Sequence, residues 1–198
     1  MRRREVDLPV VPDSVFVAPG VQLYGRIRIG GGSSLWPNAV IRAEAQEVRI
    51  GRCTNVQDFV MIHVAYERPT IVGDCVSIAH HATVHGCTIG DDCLIGIGAT
   101  IMDGAVIGAG SIVAGGAFVT EDSVFPEHSV IAGLPARRIK ERDSRRANRL
   151  NAWLYHRNAA CYRRGEHRAW DGPEYEQWLE AMREEIESDR DRLRLDGL

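Results

Sequence analysis

Four of the seven histidines fall within residues 63–85 of this 198-residue sequence. His63 ends the stretch TNVQDFVMIH, and His80, His81 and His85 crowd into IAHHATVHGC. Imidazole binds metals as a neutral ligand and titrates close to physiological pH, so such a cluster suits a metal centre or a general base. Three histidines with no carboxylate ligand suit a catalytic zinc site with an open position; Fe2+ or Co2+ would also fit. The five cysteines (53, 75, 87, 93, 161) are odd in number and form no C-x-x-C pair. Free buried thiols are expected, rather than a thiolate zinc site or a disulfide framework.

The elements that must hold these imidazoles follow from a six-residue beat. An aliphatic residue opens each unit at Val17, Leu23, Ile29, Leu35 and Ile41, and again at Ile50, Val56 and Ile62. It returns at Val72, Ile78, Val84 and Ile89, then every sixth residue to Val119, and Phe125 and Ile131 finish the series. Neither a helical period nor strand alternation produces this beat, whereas a parallel β-helix of short strands and tight turns does. Two long steps, Ile41 to Ile50 and Ile62 to Val72, predict loops bulging at about residues 43–47 and 64–70. The fold class expected is an all-β core with an α appendage: a β-helix domain over 1–139 and a helical segment over 140–198. Two helices are expected there, at least one packed on the outside of the β-helix. The second is to place Tyr175, Trp178, Leu179, Met182, Ile186 and Leu193 on one face.

With three faces named a, b and c, the residues after the b-face openers form one column: Arg42, His63, His85, Met102. Strands about 4.8 Å apart bring His63 and His85 close enough to share one ion. A second column, on the a strands, runs Pro37, Asp58, His80, Ile97, with Gln57 beside Asp58. His80 is then level with His85 but on another face. It reaches the His63–His85 pair only on a neighbouring chain, which would require a trimer. His81 sits at a hexad corner, outside both columns, and is expected to be exposed.

NAVIRAE, TNVQDFVMIH and H-x-x-x-x-H-G-C resemble motifs of the γ-class carbonic anhydrase family, and the resemblance spans residues 10–140. It implies a left-handed β-helix and a homotrimer. It also implies reversible hydration of carbon dioxide to bicarbonate by a metal-bound hydroxide at the trimer interface. The ligands it implies are His63, His80 and His85, with Gln57 bonded to the hydroxide and Asn55 supporting Gln57. Arg42 and Asp58 match a pair that crosses the subunit interface. Tyr155, Asn158 and Tyr162 resemble a tyrosine/asparagine pattern of the family's C-terminal helix. The His63-to-His80 separation of 17 resembles short-loop members encoded with phenylacetate or carnitine metabolism. Two positions depart from the pattern. Glu44 replaces an aspartate, and Ala45 and Tyr66 stand where the prototype has shuttle glutamates. Proton export then falls to His81, Tyr66, Glu67 or buffer. The alternatives are a thioesterase, metabolic accessory or assembly protein on the same metal scaffold, and a hexapeptide acyltransferase using a lone histidine.

Net charge is −3, with 24 basic and 27 acidic residues, which argues against a nucleic-acid partner. The basic start MRRREVDLPVVPDS leads into no apolar run, so neither a signal peptide nor a membrane span is expected, and a cytoplasmic location is.

Overall fold

The computed structural model describes residues 8–188. It is a left-handed parallel β-solenoid of triangular section with two C-terminal helices. Face a stacks Phe16–Val17, Ser34–Leu35, Asn55–Val56, Ser77–Ile78, Leu94–Ile95, Ile112–Val113 and Ser129–Gly133, all in parallel register. Face b includes Met61–His63, Thr83–His85, Thr100–Ile101 and Phe118–Val119. Face c includes Thr70–Val72, Thr88–Ile89, Val106–Ile107 and Val124–Phe125. A final antiparallel strand, Ala136–Glu141, closes the C-terminal end.

The aliphatic beat is the core. Leu35, Val56, Ile78 and Ile95 on face a, and Ile41, Ile62, Val84 and Ile101 on face b, are fully buried. Each such side chain contributes about 1.5–3 kcal/mol of burial. Small inward residues at the corners, Ala39, Ala82, Ala99 and Ala117, leave room for the chain to turn. The a–b corner is a two-residue turn whose second member has φ near +60° in successive coils: Asn38, Phe59, His81, Gly98, Gly116. Val17 departs from the beat. It is 45% exposed, because among the described residues no earlier coil covers it.

The expected bulge at 43–47 is instead strand. Gln22–Ile29 and Val40–Ile50 both run unbroken around the b–c corner and pair with each other. Their register shifts between Gly25, opposite Ala43, and Ile27, opposite Val48. Gly25 has φ +89°, and a Cβ there would lie 2.3 Å from the Ala43 carbonyl oxygen. The hexad beat shows the interruption but not the partner strand that absorbs it. The second long step, after His63, is irregular chain as expected.

Helix α1 (Arg145–Arg163) lies along face a. The Asn148 side-chain amide donates to the carbonyls of Asp92 (2.8 Å) and Ser111 (3.1 Å). Arg149 pairs with the buried carboxylate of Asp92 at 2.6 Å. His156 Nδ1 meets the Gly32 carbonyl at 2.7 Å, and Arg163 donates to that of Asp13 at 3.1 Å. Trp36 receives Tyr155 and Tyr162 edge-on, at centroid distances of 5.5 and 5.0 Å. Helix α2 (Pro173–Ser188) folds back on α1, with Trp178, Met182 and Ile186 against Ala152, Trp153, Cys53 and Cys75. Tyr175 and Leu179 are half-buried, and Leu193 lies outside the described residues. All five cysteines are free and buried, and burial pushes the Cys53 thiol up to about 11 and those of Cys87 and Cys93 up to about 12. Among the described residues no helix is long and apolar enough to cross a membrane.

Candidate metal centre

His63 and His85 end neighbouring b-face strands in direct register. Their rings are 4.9 Å apart, and His63 Nδ1 faces His85 Nε2 at 2.9 Å. That contact forms only when one of the two nitrogens carries a hydrogen and the other offers a lone pair. Asp103, in the b–c turn after Thr100–Ile101, hydrogen-bonds His85 Nδ1 through Oδ1. His63 Nε2 lies 3.1 Å from Glu44 Oε2, and Arg42 donates to Glu44 Oε1 at 2.5 Å. Burial pushes the Glu44 carboxyl up, but its backbone hydrogen bond, His63 and Arg42 outweigh it and hold it below the usual value.

His80 lies elsewhere. It and His81 are the two residues of the a–b turn joining Ser77–Ile78 to Thr83–His85. The predicted column Pro37–Asp58–His80–Ile97 exists, but it runs along this corner rather than on the strands. Backbone bonds join it coil to coil, from the Phe59 amide to the Pro37 carbonyl, His81 to Asp58, and Gly98 to His80. His80 Nδ1 meets Asp58 Oδ2 at 3.0 Å. His81 is exposed and stacks on Phe59 at 5.0 Å. Arg42 and Asp58 therefore have different partners within one chain, Glu44 and His80. Among the described residues no three histidine, cysteine, aspartate or glutamate side chains converge to hold an ion.

The donor set fits a divalent ion in part. Two imidazole nitrogens on one tetrahedral zinc ion stand about 3.3 Å apart, and a carboxylate on the second ring nitrogen is the usual support for a histidine ligand. The 2.9 Å pair and Asp103 approach both features, and among the described residues no third side chain completes the set.

Gln57 and Asn55 lie under α1 on face a. Gln57 Nε2 donates to Asn55 Oδ1 at 3.0 Å, and Asn55 Nδ2 donates to Ser77 Oγ at 2.9 Å. Tyr155 is half-buried nearby, its hydroxyl pushed up by burial and then by the charge of Asp58. Asn158 is buried, and its Oδ1 has no hydrogen-bond partner. Tyr66 is 85% exposed. It lines an open cleft at the b–c corner with Glu67, Arg68, Asp103, Glu121 and Asp122, and Asp103 joins that cleft to the histidine pair. Asp103 and Ser77 were not singled out from the sequence. Asp103 is readable in the hexad count as the turn residue after Met102, one coil beyond His85.

The bacterial transferase hexapeptide family (six repeats) matches residues 86–121. The chain is 47% identical over 132 residues to the "Probable carbonic anhydrase" of Methanocaldococcus jannaschii, covering 67% of this chain and 83% of that protein. It is 41% identical over 139 residues to the mitochondrial gamma carbonic anhydrase 1 of Arabidopsis thaliana, covering 67% of this chain. The match spans about half the length of that relative, 50%. Among solved structures, a hexapeptide transferase family protein from Anaplasma phagocytophilum superposes with a TM-score of 0.70 at 29% identity, over 79% of this chain and 92% of that one. With the coil stack, the histidine register and these relatives together, the chain belongs to the γ-class carbonic anhydrase family of hexapeptide-repeat β-helices.

Proposed function

We propose that this chain is a metal-dependent γ-type carbonic anhydrase that interconverts carbon dioxide and bicarbonate as a homotrimer. The observation that carries the reading is the His63–His85 pair, nitrogen to nitrogen at 2.9 Å with Asp103 behind it. His63 and His85 of one chain and His80 of a neighbouring chain would hold zinc, with Fe2+ or Co2+ as substitutes. When bound, the ion lowers the pKa of a water to about 7 and so supplies a nucleophile at neutral pH.

The remaining work belongs to side chains of this protein. Gln57, its Nε2 committed to Asn55, offers Oε1 to the O–H of the attacking water and directs its lone pair at carbon dioxide. Asn55 holds Gln57 in place. Arg42, 41% exposed at the rim, supplies a cation for bicarbonate and, across the interface, a partner for Asp58. Asp58 orients His80 through Nδ1, which leaves Nε2 for the ion. Exposed Tyr66, with Glu67 and His81, lies on the water side, where a proton leaves for buffer.

The test combines metal analysis, light scattering and stopped-flow hydration of carbon dioxide. A metal-bearing trimer is expected, with kcat rising with buffer concentration and kcat/KM nearly constant, because attack precedes proton export. His80→Ala should lose metal and His81→Ala should keep it. A metal-loaded monomer, or no hydration at full metal loading in any buffer, overturns the reading. The second result favours a thioesterase or accessory role on the same scaffold.

A further inference from the structure

The outward side chains of face a would meet water if α1 did not cover them. Instead Gln57, Asn55 and Ser77 are 3%, 1% and 0% exposed. They form one continuous line into the helix. Gln57 Nε2 donates to Asn55 Oδ1 (3.0 Å), Asn55 Nδ2 to Ser77 Oγ (2.9 Å), and Ser77 Oγ to Asn151 Oδ1 of α1 (2.8 Å). Asn55 and Ser77 are register partners on adjacent strands, so the first steps are fixed by the sheet. The last step is fixed by where α1 lies.

The line has a direction. A serine hydroxyl carries one hydrogen, and an amide has a donor end and an acceptor end. While Asn151 presents its oxygen, Ser77 gives its hydrogen to the helix and must accept from Asn55. Asn55 then turns Oδ1 to Gln57, and Gln57 must answer with Nε2. Were Asn151 to present its nitrogen, the Ser77 hydrogen would be released for Asn55 Oδ1, and the line could run in the opposite sense, with a Gln57 N–H turned to where its oxygen now lies. The two senses of Gln57 are not equivalent for the reaction. Oε1 accepts from a water's O–H and leaves a lone pair for attack, whereas an N–H would bind that lone pair.

We propose that Asn151 and Ser77 are positioning residues that set the sense of the Gln57 amide, so that α1 governs which end of Gln57 faces the centre. The proposal rests on the anhydrase reading only for the part Gln57 plays in attack. The orientation itself is a property of the folded chain.

The sequence contains four glutamines, so labelling the protein with 15N at the glutamine side-chain amide gives four NH2 pairs, and Gln57→Glu identifies the one of interest. Its shifts and hydrogen-exchange rate are compared in the wild type, Asn151→Asp, Asn151→Leu and Ser77→Ala, first without metal. Aspartate can only accept, so Asn151→Asp should keep the wild-type Gln57 signals, while Asn151→Leu and Ser77→Ala should shift them and speed their exchange. In zinc-loaded protein, the latter two should lower kcat by about tenfold with KM and metal content unchanged, and Asn151→Asp should recover most of the rate. Gln57 signals indifferent to Asn151→Leu and Ser77→Ala in folded protein overturn the proposal, and so does equal loss in Asn151→Asp and Ser77→Ala. If Asn151→Leu does not fold, the other two variants decide. Expected amide responses in a wild type that hydrates no carbon dioxide remove the anhydrase reading and keep the assignment of Gln57's sense. Fast hydration with unresponsive amides does the reverse.

Discussion

Asp103 offers the sharpest quantitative test of the histidine pair. Its Oδ1 takes the hydrogen of His85 Nδ1, which fixes the tautomer with a lone pair on Nε2, the atom facing His63. Asp103→Ala removes that acceptor and frees the ring to rotate and to carry its hydrogen on either nitrogen. A charge-assisted hydrogen bond contributes about 1.5–3 kcal/mol. Both side chains are about a third exposed, at 28% for His85 and 34% for Asp103, so solvent screening favours the lower end. A loss of about 1.4 kcal/mol is a tenfold weaker Kd for zinc, and a supporting carboxylate of this kind is typically worth 10–100-fold. Asp103→Asn retains an acceptor oxygen and should lose about threefold. The assay is zinc titration of chelator-stripped protein against a chromophoric competitor at fixed pH, with thermal unfolding alongside. An unchanged Kd in folded Asp103→Ala refutes the role. Asp122→Ala is the control, because Asp122 lies on the same cleft but pairs with Arg68. An equal loss there would assign the effect to the general field of the acidic corner rather than to the His85 bond.

The Asp92–Arg149 pair fastens α1. With Asp92 only 4% exposed in its side chain, Arg149→Met strands a buried carboxylate and should cost about 3–5 kcal/mol in urea unfolding. Burial already raises the Asp92 carboxyl despite Arg149, so the deficit should shrink as pH falls and Asp92 is protonated, and Asp92→Asn in the same chain should restore much of it. Asp143 behaves oppositely. Hydrogen bonds from Arg145 hold its carboxyl down at about 2, so its contribution is present above about pH 4 and is lost as pH falls towards 2. The stability gap between wild type and Asp143→Asn should close over that window. It should stay below about 1 kcal/mol, because the pair is half exposed.

The solenoid was readable because its signal is periodic and local. One inward aliphatic per strand fixes the coil register, and that register places His63 beside His85. The same count put Asp58 and His80 in one column, though it took turn residues for strand residues. What a beat of six cannot show is what happens where it breaks. At 43–47 the extra residues found a partner in Gln22–Ile29, a pairing between coils that no single hexad encodes. Nor could composition show which outward residues α1 would cover. Ser77 and Asn151 are 74 residues apart, and each is an ordinary polar side chain until the helix brings them together. Glu44 shows the same limit. Its approach to His63 depends on the strand's passage around the corner, so the sequence marked it only as a departure from a motif.

Helix α1 meets the coils in reverse order. Its first turns bond near Ser111 and Asp92, its middle near Ser77 and Gly32, and its last turn near Asp13. At 1.5 Å per residue its 19 residues span about 28 Å, close to the ~24 Å rise of the five steps between six stacked coils. A chain emerging from the ribosome therefore completes its oldest coil first and seals that coil last. Until residue 163 has appeared, Trp36, Asn55, Gln57 and Ser77 lack their cover, and the helix then closes over them from the newest coil back to the oldest. A bare solenoid would unravel one coil at a time from either end. Strapped across six coils, this one releases them together, so that the polar line on face a is either wholly assembled or wholly open to water.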